Sequence, residues 1–120
     1  MPYTDDRYIP VDVLREPTFL ILAAVAPTPL HGYGILRSID ELSDGRVRLR
    51  AGTLYAALDR LVGDGSLLVD HEEVVDGRLR RYYRITNEGL EVLHREVEQL
   101  EANASAARGQ LARRADVRLA

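Results

Sequence analysis

Two stretches of the chain carry side chains suited to binding nucleic acid. Residues 51–61 form a short amphipathic pattern that starts with glycine, a hydroxyl and a phenol, and residues 77–86 form an arginine-rich turn that runs into a strand pattern. Guanidinium groups pair with phosphate and guanine in forked geometry. Small or hydrogen-bonding residues at a helix start suit the major groove. The spacing therefore predicts a recognition helix beside an arginine-tipped hairpin, or wing, that binds DNA.

The predicted DNA contacts divide by position. On the helix, Thr53 offers a hydroxyl to phosphate beside the helix start, and Tyr55 suits a phosphate, a sugar or a thymine methyl. The small side chain of Ala56 leaves room for a base edge. The other predicted contacts are arginines before, on and after the helix: Arg50, Arg60, Arg78, Arg80 and Arg81. Any one of these arginines alone is more typical of a solvated surface, and only their combined order favours DNA binding.

Composition narrows the class of protein. The 120 residues suffice for one domain, and the net charge is −3, with all sixteen basic residues being arginine. Eight arginines face six acids between Arg46 and Arg84, so positive charge is mildly concentrated there. Cysteine is absent and the three histidines lack metal-pair spacing, so we expect no metal or cofactor. The longest apolar run, residues 19–26, is too short for a membrane span. No secretory signal precedes it, and we expect a cytoplasmic protein.

Periodicity predicts a mainly α fold with a small β wing, a winged helix-turn-helix. Apolar residues recur at helical spacing in three segments, and alternate in three others. The helices are predicted at Thr18–Ala26, Gly32–Leu42 and Gly52–Val62. The strands are predicted as a short edge strand at Arg46–Arg50, and as Leu67–Val75 and Leu79–Thr86 on either side of an Asp76-Gly77 turn, a strong hairpin signal. Thr86 is a suitable N-cap for a last helix.

The last helix carries a heptad seam, which we define as the apolar residues Leu90, Leu93, Val97, Leu100, Ala104, Ala107 and Leu111. Alternating spacings of three and four are typical of a coiled-coil face. Packing on its own domain covers at most the first half, so the seam predicts a homodimer. The predicted organisation is an arm at residues 1–16, a DNA-binding domain at 17–86, and a dimerisation helix and tail at 87–120.

Several ordered motifs resemble the PadR family of bacterial transcriptional regulators, in its short form with one C-terminal helix. The resembling segments are Leu30–Ile35, Gly52–Leu61, Asp64–Leu68 and Arg80–Gly89. The resemblance implies a winged-helix homodimer, usually a repressor, that binds palindromic operators and is released by a small molecule. It also implies that Tyr33, Thr53, Tyr55 and the wing arginines contact DNA.

The chain departs from the family pattern in two respects. Ala56 stands where the family often has proline, and the chain has no tryptophan for stacking a flat aromatic ligand. A pocket for a small hydrophobic or aromatic effector is still expected against the partner's helix. Its predicted lining is Leu14, Phe19, Leu90, Leu93 and Val97.

Two other functions were weighed against DNA binding. A winged-helix module that binds another protein is consistent with the weak local excess of positive charge. An enzyme has little support, because no catalytic triad, carboxylate pair or phosphate-loop spacing occurs in the sequence.

Overall fold

The structure, a computed structural model, describes residues 15–119. Most of the predicted arm at residues 1–16, including Leu14, lies outside the described residues. The elements in chain order are α1 (Glu16–Val25), β1 (Leu30–His31), α2 (Gly32–Leu42), α3 (Ala51–Gly63), β2 (Leu67–Val75), β3 (Arg78–Ile85) and α4 (Asn87–Leu119). The strands form an antiparallel sheet of order β1-β3-β2. The predicted winged helix with a long C-terminal helix is confirmed.

The core lies between the first three helices and the base of the sheet. α1 is apolar on nearly every side, so it is buried almost all round, with Ile21 and Leu22 fully covered. α3 contributes Leu54 and Leu58 from the face that its periodicity predicts. Tyr83 closes the core from β3 and is 2% exposed. Burial of these large side chains is the main force that holds the helices against the sheet.

The wing is a hairpin whose turn matches its sequence. Asp76 and Gly77 have φ angles of 53° and 76°, the left-handed pair that a tight two-residue turn needs. Val75 then pairs with Arg78, and the strands stay in register toward the body. An irregularity between Val69 and His71 leaves one extra residue in β2, which is the geometry of a β-bulge.

The predicted edge strand at Arg46–Arg50 is wrong. These residues make no ladder, and the third strand is the two-residue β1. The alternation arises because Val47 and Leu49 pack on the core while the arginines between and before them reach other helices. Arg46 donates to Glu16 at 2.7 Å, and Arg48 donates to Asp40 at 3.2 Å.

α4 joins the body at Thr86. The Thr86 hydroxyl donates to the carbonyl of Gly65 at 2.6 Å and accepts the backbone N–H of Gly89 at 3.0 Å, so Thr86 is the predicted N-cap. Gly89 is buried against the Ser66 carbonyl, where a Cβ would collide with backbone. Every residue between 97 and 116 is exposed, so the second half of the helix overhangs the body. No helix within residues 15–119 is long and apolar enough to cross a membrane.

Candidate nucleic-acid interface

The start of α3 presents an exposed polar surface. Thr53, Tyr55 and Ala56 are exposed, as their positions in the helical pattern predict. Arg50 occupies the N-cap position without a side-chain cap, and the first turn contains no acidic residue. Backbone N–H groups in that turn therefore have no capping acceptor within the described chain. Such groups, at the positive end of the helix dipole, favour an anion.

The start of α2 has the same character and lies next to that of α3. Its N-cap residue, His31, makes no side-chain cap, its first turn holds no acid, and Tyr33 is 63% exposed. The end of the Tyr55 ring rests against Gly32, where a Cβ would overlap it. The two helix starts therefore form one continuous surface. In contrast, the start of α4 is capped by Thr86 and carries Glu88.

A groove of about 330 Å³ separates the start of α3 from the wing. Its lining comes from α2, α3 and β3 and from the end of β1: His31, Gly32, Tyr55, Asp59, Leu79, Arg80, Arg81 and Tyr83. The structure thus brings the predicted contact Tyr55 together with two of the predicted wing arginines. Asp59, one turn after Tyr55, places a carboxylate in the same groove.

The wing arginines are not equivalent. Arg81 donates to Glu72 at 3.0 Å, an interaction that raises the pKa of the guanidinium. Arg84 lies 3.4 Å from Asp70. Within residues 15–119, Arg78 and Arg80 have no carboxylate at ion-pair distance, so their charges remain available. The hairpin as a whole is balanced, with four arginines and four acids between residues 67 and 85.

An aromatic row crosses the opposite face of the wing. His71 stacks on Tyr82 with ring centroids 4.3 Å apart, and His31 lies 5.2 Å from the same ring. A hydrogen bond to Asp70 at 2.6 Å raises the pKa of His71. Burial lowers the pKa of His31, whose Nε2 atom is buried without a hydrogen-bond partner in the described structure. Sequence reasoning missed this row because its members lie far apart in the chain.

Arg60 is separated from the other predicted DNA contacts. Its guanidinium donates to the Thr18 hydroxyl of α1 at 3.2 Å. It lines a second groove, of about 990 Å³, on the side of the molecule where α1 faces α4. The remaining predicted contact, Arg50, is exposed at the start of α3.

The predicted effector lining differs from the lining of that second groove. The apolar lining consists of Leu22, Leu61, Val92 and Leu100, with Arg15, Arg60 and Arg95 at polar positions. Phe19 and Leu93 instead pack against the core, and Leu90 is half-buried. Val97 is 37% exposed on the free part of α4, and Leu14 lies outside the described residues.

Comparisons with known proteins agree on one family. The family described as the Transcriptional regulator PadR-like family matches residues 21–95. The Mycobacterium tuberculosis protein named Transcriptional regulator Rv3488 is 43% identical over 81 residues, covering 68% of this chain and 72% of that protein. A PadR family transcriptional regulator from Eggerthella lenta DSM 2243 is 32% identical, with a TM-score of 0.61 over 80% of each chain.

Bacillus subtilis PadR, solved in complex with operator DNA, shares the fold with a TM-score of 0.62 at 20% identity. That similarity covers 69% of this chain and 47% of the Bacillus chain, so this chain spans about half the length of that relative. The family match spans most of α1, the recognition helix α3, the wing and the start of α4. The chain therefore belongs to the PadR-like family of transcriptional regulators.

Proposed function

We propose that the chain is a homodimeric repressor whose α3 helices enter successive major grooves of a palindromic operator. Symmetric regulators of this kind place their recognition helices about 34 Å apart, one turn of DNA. The observation that carries the proposal is the uncapped, acid-free start of α3 with Thr53 and Tyr55 exposed beside it. That surface offers backbone and side-chain donors to a phosphate. We assign residues 17–86 to DNA binding and residues 87–120 to dimerisation.

Each contact has a distinct role in this proposal. Thr53 and the α3 amides bind phosphate, Tyr55 contacts the sugar-phosphate edge, and Ala56 admits a base edge. Arg78 and Arg80 bind phosphates flanking the major groove, because they hold no carboxylate within the described chain. The remaining proposed contacts, which have weaker geometric support, are Tyr33, Arg50, Arg60 and Arg81. The operator complex solved for the Bacillus relative supports a DNA-binding role for this shared fold.

We further propose that a small hydrophobic or aromatic effector releases the repressor. The site would lie where α1 and α4 meet the partner's helix, near the half-buried Phe19 and Leu93 and the exposed Val97. An effector that binds one arrangement of the two subunits better than the other lowers operator affinity by that difference. The protein would act in the cytoplasm, on chromosomal DNA.

A second function, binding another protein through the wing, is favoured by one observation. The hairpin carries equal numbers of arginines and acids, whereas non-specific DNA affinity depends on net positive charge. Tight DNA binding with a steep salt dependence would exclude this alternative.

The decisive experiment is a gel-shift titration of the purified protein against DNA from upstream of its own gene, at two salt concentrations. We expect specific binding that survives competitor DNA, weakens at higher salt, and weakens roughly tenfold in Tyr55→Ala. Arg78→Ala and Arg80→Ala are each expected to reduce the salt slope by about one. Arg113→Ala, which removes the same charge from the far half of α4, is the matched control. Unchanged affinity in Tyr55→Ala would remove α3 as the recognition helix.

A further inference from the structure

The charges of α4 are divided between its two halves. Residues 87–103 carry five acids and one arginine, and residues 104–119 carry four arginines and one acid. The acids of the first half are Glu88, Glu91, Glu96, Glu98 and Glu101. The arginines of the second half are Arg108, Arg113, Arg114 and Arg118. A single helix thus has a net charge of −4 over its first half and +3 over its second.

The boundary between the halves coincides with the uncovered part of the heptad seam. Leu100 is 48% exposed and Leu111 is 66% exposed, with Ala104 and Ala107 exposed between them. No element within residues 15–116 covers this face. The occupant to which we commit is the same segment of a second copy, an assignment that rests on the homodimer proposed above.

The charge division selects the direction of the pairing. Parallel α4 helices would place acidic half beside acidic half and basic half beside basic half, which is repulsive along the whole contact. Antiparallel helices place each acidic half beside a basic half, and their helix dipoles also attract. Like charges held side by side weaken an association, whereas opposite charges fix its register.

We propose that two α4 helices pair antiparallel about a centre between Ser105 and Ala106. In this register Leu100 faces the partner's Leu111, and Ala104 faces the partner's Ala107. The alanines allow the helices to approach closely at the centre, and each leucine pair closes one end of the contact. Glu101 and Arg108 are seven residues apart on one edge of the seam, so Glu101 lies next to the partner's Arg108.

Cysteine cross-linking tests the direction of pairing, because the chain has no cysteine of its own. Leu100 and Leu111 are eleven residues apart, about 16 Å along a helix, whereas a disulfide needs Cα atoms about 4.4–6.8 Å apart. We expect a mixture of Leu100→Cys and Leu111→Cys chains to form a disulfide-linked dimer on oxidation, and neither variant to do so alone. Cross-linking of Leu100→Cys alone would overturn the proposal in favour of parallel helices.

Charge exchange tests the register without new thiols. We expect Glu101→Arg and Arg108→Glu each to weaken the dimer roughly tenfold, since each creates two like-charge pairs. Mixing the two variants should restore wild-type affinity as a heterodimer, and so should the double exchange in one chain. Glu98→Arg, on the opposite face of α4, is the matched control. Parallel helices predict instead that Glu101→Arg strengthens the dimer, because it removes repulsion from Glu96.

The wild-type mass distinguishes failure of the homodimer from failure of its direction. A wild-type protein that sediments as a monomer at micromolar concentration would refute the proposed homodimer and this pairing together. A wild-type dimer in which the cysteine mixture does not cross-link, or the two charge variants do not rescue one another, would refute the antiparallel register alone. Circular dichroism of each variant confirms that α4 is still formed.

Discussion

Gly32 is a glycine because of its neighbour and not because of its own backbone. It lies in the first turn of α2, and the space that a Cβ would fill holds the hydroxyl end of the Tyr55 ring. Tyr55 is 47% exposed, so this contact is what orients its ring beside the α3 start. A residue in one helix therefore sets the position of a proposed DNA contact in another.

We expect Gly32→Ala to impair operator binding while leaving the fold intact. The new methyl group displaces the Tyr55 ring, which is free to swing toward solvent, so the free energy of unfolding should change by less than about 1 kcal/mol. Operator affinity should fall roughly tenfold, as in Tyr55→Ala. Gly63→Ala, whose Cβ meets open space at the end of α3, is the control. A Gly32→Ala protein that binds the operator normally would show that the ring's position is unimportant.

Periodicity predicted which residues are exposed, but not what each side chain contacts. Thr53, Tyr55 and Ala56 lie on the outer face of α3 as the apolar spacing requires. The direction of Arg60 was not predictable, because a long side chain at the edge of a helix face reaches either way. Its hydrogen bond to Thr18 crosses 42 positions of sequence. The contact between Tyr55 and Gly32 has no local signature for the same reason.

Among the elements, the wing was predicted well and the sheet edge was not. Asp76-Gly77 has a local backbone requirement that its sequence states directly, so the hairpin was predictable. β1 is only two residues long, too short for any period to register, and its pairing with β3 is a tertiary contact. Arg46–Arg50 alternates because of tertiary packing and distant ion pairs, which mimics the pattern of a strand.

We expect the wing to make operator affinity depend on pH through His71. The hydrogen bond to Asp70 raises the pKa of His71, so protonation begins above the ordinary value of 6.5 as the pH falls. The protonated ring adds one positive charge to a balanced hairpin, and affinity should therefore rise from pH 8 to pH 6. By the same sign, the stabilisation from this pair is complete below about pH 6.5 and is lost as the pH rises through the raised value.

Binding titrations of His71→Gln at both pH values check this expectation, with His94→Gln on α4 as the control. The pH response should be smaller in the first variant and unchanged in the second. An equal response in the wild type and His71→Gln would assign the effect to other groups.

The joint between α4 and the wing depends on Gly89. A Cβ at this position would collide with the Ser66 carbonyl, which is backbone and cannot move aside. We expect Gly89→Ala to lower the free energy of unfolding by about 1–3 kcal/mol, measured by urea denaturation. Gly109→Ala lies on the same helix with open space around it, and should raise helix stability by up to about 1 kcal/mol. Equal effects of the two variants would contradict the close contact.

The whole molecule is too extended for a self-sufficient globule. Its longest dimension is 69 Å, and its radius of gyration is 18.6 Å, against about 13–14 Å for a compact chain of this length. The overhanging half of α4 accounts for the difference. The heptad spacing predicted this overhang from sequence. The groove between α1 and α4 was not predictable, because its lining depends on how two distant helices cross.

We expect Leu100→Glu to dissociate the proposed dimer. The change places a carboxylate on the seam of each copy, where its desolvation opposes association. Sedimentation velocity should show at least a hundredfold weaker dimer, with the circular dichroism of α4 retained. Ala102→Glu adds the same charge on the outer face of the helix and should leave the mass unchanged. A Leu100→Glu protein that sediments as wild type would exclude the seam as the interface.

The Thr86 hydroxyl, which joins α4 to the loop before β2, gives the molecule a pivot with a long lever arm. At 1.5 Å per residue the arm is about 50 Å long, so a tilt of roughly 5° moves its far end by about 4 Å. That displacement is close to the 3.4 Å rise of one base pair. In the proposed dimer, the stiffness of this single joint would therefore set how strictly the protein measures the spacing between the two halves of its operator.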